Sequence, residues 1–168
     1  MPRAWIATTT RLSWTNAWYV RAATDARGVE MPDVTKLIEA DHREVETLFA
    51  QFKEDHAKST ALKICEELDA HASAEERVFY PVVRDDVPGG QKLAEEGNEE
   101  HAEARQLIGR IKNTEDESHL NELVTDLEAA ISHHVEEEES EMLPKARSAL
   151  DTGRLESLGS EFQAAKSG

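Results

Sequence analysis

The sequence predicts an all-α protein: an up-down-up-down four-helix bundle with a short C-terminal helical extension and a poorly ordered N-terminal segment. Three observations carry that expectation. From Asp33 onward, apolar residues recur three and four apart over four stretches, which is the period of a helix with one buried face. No stretch shows the strict alternation of a half-buried strand. The connections between stretches are short, which pairs successive helices as antiparallel neighbours.

Taken in order, residues 1–30 hold Arg3, Arg11, Arg21 and Arg27 against Asp25 and Glu30, a net +2, together with Trp5, Trp14 and Trp18. They show no helical stripe and are read as a disordered or weakly ordered extension. Their Arg- and Thr-bearing, acid-poor composition also fits a targeting peptide, but without a continuous apolar run. A start at Met31, where the sequence becomes orderly, is the remaining reading. The bundle is assigned to residues 31–148 and a short helical tail to 149–168.

Asp33 can cap a first helix running to about Asp55, with Leu37, Ile38, Val45, Leu48, Phe49 and Phe52 on its stripe. Ser59 or Thr60 can cap a second, through Ile64, Leu68, Val78 and Val82. Pro88-Gly89-Gly90 breaks the chain. A third helix runs from about Gln91 to Lys112, with Ala94, Ala104, Ile108 and Ile111 inward. Ser118 can cap a fourth, carrying Leu120, Leu123, Leu127, Ile131 and Met142, and a short amphipathic stretch follows near Leu150–Ala165. Pro81 and Pro144 fall late in the second and fourth helices and are expected to kink or end them, since each lacks an N–H.

The chain has 168 residues, 19 basic and 35 acidic, for a formal charge of −16. With +2 on the first 30 residues, the remainder carries −18. Such a surface does not supply the cations that phosphate backbones or anionic membranes require. No stretch approaches the roughly 20 apolar residues that span a bilayer. We therefore expect no nucleic-acid and no membrane partner. The single Cys65 excludes an internal disulfide and suits a reducing, cytoplasmic setting; its place one position off the stripe reads as a small core hydrophobe.

The stripes also carry residues foreign to an apolar core. His42 lies four after Ile38 and three before Val45. The second stripe reads Ile64, Leu68, His71, Glu75, Val78, Val82. The third reads Ala94, Gly97, His101, Ala104, and the fourth Leu127, Ile131, His134, Glu138, Met142. Each helix thus buries one His, and the second and fourth add a Glu one turn later. A buried carboxylate without a partner costs several kcal/mol. Two Glu and four His converging in one bundle need a cation pair, for which every one of them is a ligand. The order repeats within the chain as His, then His-x-x-x-Glu, with a Pro ten residues after His71 and after His134. That pseudo-twofold pattern is what a dinuclear centre between four helices requires. His133 competes with His134 for the fourth place, but lies on the polar face of Asp126, Ala129 and Glu137. His56, His119 and His133 are read as surface residues. Within Glu136, Glu137, Glu138, Glu139 and Glu141, only Glu138 has the ligand spacing. Glu76 and Glu139 are candidates to support or supplement the ligands. Phe49, Phe52 and Phe79 are read as core that can also line a dry pocket.

The stretches DHREV around His42, HASAEERVFYP from His71, EEHAEAR around His101 and HHVEEEESEMLP from His133 resemble the hemerythrin-like proteins with the HHE cation-binding domain. The resemblance covers about residues 33–147. It implies a non-haem diiron centre, oxo- or hydroxo-bridged, whose ligands map onto His42, His71, Glu75, His101, His134 and Glu138, with both Glu bridging. Manganese and zinc also suit such ligands. One departure stands out. Oxygen-carrying hemerythrins place a fifth His one turn after the third-helix His, and here that place holds Arg105, which cannot ligate a metal. Six ligands leave about one open position on each octahedral iron. That fits reactive chemistry on hydrogen peroxide better than reversible O₂ storage. The resemblance implies the class of O₂, peroxide or nitric oxide chemistry; peroxide decomposition is the expected reaction, and a non-catalytic iron- or O₂-binding module the alternative.

Overall fold

The structure, a computed structural model, describes residues 32–167. The expectations for residues 1–30, including their disorder, the targeting reading and a start at Met31, lie outside the described residues. Five helices follow one another without any strand among the described residues. We number them α1 (Val34–Asp55), α2 (58–86), α3 (Gly90–Asn113), α4 (117–149) and α5 (Thr152–Lys166). The first four are the antiparallel bundle, joined by connections of only a few residues.

Asp33 caps α1 as expected, accepting from the Lys36 N–H at 3.1 Å. The other caps differ from expectation. Helix α2 begins at Lys58 with no side-chain cap. Thr60 instead donates to Asp55 Oδ2 at 2.8 Å, and Asp55 Oδ1 accepts from the Ala57 N–H, so an acid at the end of α1 satisfies the turn. In α4 the cap is Asp116, which accepts from the His119 N–H at 2.7 Å, rather than Ser118. A carboxylate at the position before the first turn combines the capping hydrogen bond with the helix dipole.

Neither proline ends its helix. In α2 the segment Glu75–Phe79 is a π-helical turn, in which the Tyr80 N–H bonds Glu75 O, five residues back. In α4 the turn is Glu138–Met142, closed by the Leu143 N–H on Glu138 O. Pro81 and Pro144 are the next residues along. The widened turn takes up the missing donor and the ring's clash with the preceding turn, and each helix continues. It also inserts one residue into the helical phase. Past the turn the inward positions are therefore Phe79 and Val83, at 0% exposure, whereas Val78 and Val82, expected inward, are only half-buried.

Two apolar layers sandwich a polar one. Toward the 45–64 end lie Val45, Phe49, Phe52, Ile64, Ile108, Leu123 and Leu127, all buried, together with Cys65. Toward the other end lie Ile38, Phe79, Val83, Leu143 and Leu158. Helix α5 is capped by Asp151 and packs Leu155, Leu158 and Phe162 against α1 and α2. No helix among the described residues is long and apolar enough to cross a membrane.

Candidate metal centre

The six residues expected from the stripes all fall in the polar layer. His42, His71, Glu75, His101, His134 and Glu138 are each 4% exposed or less. Their ligand atoms form two adjoining groups, His42, His71, Glu75 and Glu138 in one and Glu75, His101 and His134 in the other, each with donor atoms within 4.8 Å of one another. Glu75 spans them: Oε1 is 3.2 Å from His71 Nε2 and Oε2 is 3.3 Å from His101 Nε2. Glu138 Oε2 lies 3.3 Å from His42 Nε2 and 3.5 Å from His134 Nε2. Each Glu begins a π-helical turn, a feature concentrated at functional sites. His133 is exposed, as expected, and His119 is half-buried at the surface. His56 is exposed too and ends α1 in the left-handed region at φ 48°.

Each of the four buried histidines has a carboxylate on its outer nitrogen. Nδ1 of His42 meets Glu139 Oε1 at 2.8 Å and that of His71 meets Asp41 Oδ2 at 3.1 Å. For His101 the partner is Glu76 Oε1 at 3.0 Å, and for His134 it is Glu100 Oε2 at 2.7 Å. An ionised carboxylate only accepts, so Nδ1 carries the proton and the Nε2 lone pair points inward. The supports run round the bundle in one direction, α1 to α2 to α3 to α4 to α1, and repeat with the twofold pattern of the ligands. Glu76 and Glu139 thus each hold the Nδ1 of a candidate-ligand histidine. Asp41 and Glu100 were missed by sequence reasoning, although each immediately precedes a ligand His, in the pairs DH and EH. A helix-face argument assigns them to their own helix's outer side, and only the neighbouring helix makes them partners.

Tyr80 was also missed. Its hydroxyl donates to Glu138 Oε1 at 2.8 Å and lies 3.4 Å from His101 Nε2, and its ring stacks on His101 with centroids 5.4 Å apart. Burial, with the charges of Glu138 and Glu75, pushes its pKa well up, so it remains a phenol. The hydroxyl fits because residue 97 is Gly: a Cβ there would stand 2.6 Å from the Tyr80 oxygen. The YP pair was visible, but the π-helical turn that swings Tyr80 inward was not.

The donor set fits a pair of cations. Among the described residues, the buried polar atoms lacking a hydrogen-bond partner are His42 Nε2, His71 Nε2, both oxygens of Glu75, and Glu138 Oε2. All five belong to candidate ligands, and such atoms are rare in native interiors. His101 Nε2 and His134 Nε2 face each other at 3.2 Å, two lone pairs that nothing but a cation or proton reconciles. The electrostatics agree. Burial, reinforced by Glu138, raises Glu75 well above the carboxylate range. Burial acts on Glu138 in the same sense, but His134 and His42 outweigh it and hold that group low. Burial takes His71 down to about 4, so it is neutral and ready to ligate. For His42 and His134 burial is overcome by the carboxylates, chiefly Glu138, and both rise above 6.5.

Arg105 turns away from the centre and pairs with Glu76 at 2.7 Å, locking the support of His101. A cavity of about 20 Å³ touches all four histidines, with Arg105 at its edge and Val45, Leu68, Ala104, Ile108 and Ile131 among its walls. It holds about one water-sized molecule. The apolar part of its lining is aliphatic; Phe49, Phe52 and Phe79 are core and do not line it.

Comparison with known proteins agrees with this geometry. A curated relative, a DNA nickase of Nostoc sp. (strain PCC 7120 / SAG 25.82 / UTEX 2576), is 29% identical over 153 residues, 88% of this chain and 42% of the relative. The chain therefore spans less than half the length of that relative. No solved structure matches. The hemerythrin HHE cation-binding domain matches residues 33–146, a span that contains all six candidate ligands and all four supporting carboxylates, and the chain belongs to that family.

Proposed function

We propose that the chain holds two iron ions between α1–α4 and decomposes hydrogen peroxide, two molecules giving two water and one O₂. The observation that carries the metal reading is the set of five orphaned buried atoms, every one on a candidate ligand. His42, His71, Glu75 and Glu138 would hold one ion, and Glu75, His101 and His134 the other. When bound, the pair supplies Lewis acidity and a two-electron redox couple. The protein's own residues fix the rest. The four carboxylate–histidine pairs set the tautomer and aim of each imidazole. Tyr80 orients Glu138 through its hydroxyl. The cavity beside the four histidines is of the size of a small ligand.

Arg105, placed where oxygen carriers have a fifth His and paired outward with Glu76, favours peroxide over O₂ storage because it leaves a coordination position on each ion. The test is oxygen evolution from peroxide by iron-loaded protein. Evolution well above that of the Glu75→Ala/Glu138→Ala variant supports the reaction. Equal evolution removes it and leaves a non-catalytic cation-binding module. The Nostoc relative favours a second reading, DNA strand nicking, by sequence likeness alone. Conversion of supercoiled plasmid to open circles by the metal-loaded protein, lost in the same variant, supports that reading; intact plasmid removes it.

A further inference from the structure

Besides Tyr80, whose counterpart before Pro144 is Leu143, the twofold pattern of the centre is broken at Asp41. Asp41 and Glu100 are equivalent, each preceding one ligand His and supporting another. Glu100 is 23% exposed, and its further neighbour is the exposed His133, 3.7 Å away. Asp41 is 2% exposed, and its Oδ2 is shared between His71 Nδ1 at 3.1 Å and Lys166 Nζ at 2.8 Å. Lys166, itself only 14% exposed, is the last residue of α5. One turn earlier, Phe162 sets its edge on the His71 ring, with centroids 6.1 Å apart, and is 1% exposed. Helix α5 begins after residue 146, where the family match ends. Among the described residues, no helix beyond the bundle packs on the twofold-related flank at Glu100 and His134.

We propose that α5 acts as a clamp on one half of the metal centre, with Lys166 as a positioning residue acting through Asp41 on His71. The inference rests on the metal reading above. Lys166 Nζ and His71 Nδ1 share Asp41 Oδ2, so the lysine fixes where that oxygen stands and, through it, the turn of the imidazole. Phe162, edge-on to the ring, keeps water from it. The position held by His42 and His71 is thereby closed, and the position held by His101 and His134 exchanges with solvent. The two metals differ in lability although their ligands match.

The experiment loads full-length protein with Fe²⁺ anaerobically and follows its release to a chromophoric ferrous chelator. Wild-type protein releases one ion quickly and the second slowly. Lys166→Met keeps two ions at saturation, but its slow phase quickens roughly 10-fold, the low end for loss of a residue supporting a metal ligand, while the fast phase is unchanged. Lys166→Arg restores the slow phase. Glu100→Gln, the mirror-image change, quickens the fast phase only. A single-phase release from wild type, equal acceleration of both phases in Lys166→Met, or no acceleration overturns the clamp. Should Lys166→Met fail to fold, Phe162→Leu takes its place, since it uncovers His71 and leaves Lys166 intact: a quicker slow phase with an unchanged fast phase supports the clamp, and an unchanged slow phase overturns it. Wild-type protein that takes up no iron overturns the metal reading itself, a separate outcome.

Discussion

Glu75→Gln separates a metal ligand from a structural residue by the sign of its effect. Glu75 is 0% exposed, both its oxygens lack partners, and it shares its site with Glu138. Without metal it is a liability. The Gln variant keeps the volume, removes the charge and one orphaned acceptor, and brings an NH₂ that can donate to the orphaned Glu138 Oε2. An unsatisfied buried acceptor costs about 1–3 kcal/mol, so the metal-free variant should be about 1–3 kcal/mol more stable than wild type. For a domain of this size that is a rise in Tm of very roughly 3–10 °C. The pH dependence has a defined sign. Glu75 has a raised folded pKa, so its penalty is fully present above that pKa. It fades as pH falls toward 4.5, the value at which the unfolded carboxyl also takes up a proton. The advantage of the variant should shrink in the same direction.

With metal the order reverses. A ligand at 100 times its Kd stabilises by about 2.7 kcal/mol per site, and the variant loses the bridge to both ions. The assay is thermal unfolding by far-ultraviolet circular dichroism, in chelator and in excess Fe²⁺ under anaerobic conditions. The predicted pattern is variant above wild type in chelator and wild type above variant in metal. A metal-free variant less stable than wild type would refute the reasoning, because Glu75 would then be a partner in the apo core.

Other outcomes follow from the same coordinates. In the metal-free protein Glu138 outweighs burial and makes His42 and His134 hold a proton more tightly than a free imidazole. Metal binding should therefore release protons, read by calorimetry in buffers of different ionisation enthalpy; no release contradicts the assignment. Gly97→Ala and Gly109→Ala make the same change in the same helix with opposite signs. A Cβ at 97 meets the Tyr80 hydroxyl at 2.6 Å, whereas one at 109 meets nothing within 4 Å. In thermal unfolding, the change at 109 should stabilise by up to about 1 kcal/mol. The change at 97 should destabilise by up to about 2 kcal/mol once overpacking outweighs propensity. Cys65 is 0% exposed and burial pushes its thiol up to about 11. At pH 8 roughly one thiol in a thousand is ionised, so iodoacetamide should label the protein only after unfolding, as mass spectrometry would show.

The four stripes and all six inward donors were legible because helical period and burial are properties of each helix alone. His42, His101 and His134 needed nothing beyond their spacing to apolar neighbours. What depended on a neighbouring helix was not legible. Asp41 and Glu100 sit beside ligands in sequence yet support histidines on the next helix. Val78 and Val82 were placed inward because a π-helical turn, which shifts the phase by one residue, leaves no periodic trace of its own. Pro81 and Pro144 were the trace it did leave, but alone they point only to a kink or an end. Asp55 and Asp116 displaced the expected Ser and Thr caps because a short turn lets an acid reach the backbone before a hydroxyl does. The short helix at the C-terminus was expected, but its ion pair with Asp41 joins residues far apart in the chain and has no local signature.

The account stands or falls on a cation pair held by these six residues. The most direct measurement is metal content per chain after anaerobic Fe²⁺ loading and gel filtration, in wild type and in the Glu75→Ala/Glu138→Ala variant. The structure's two adjoining donor groups predict two ions retained by wild type and close to none by the variant. Wild-type protein that retains one ion or none, or a variant that keeps both, would contradict it.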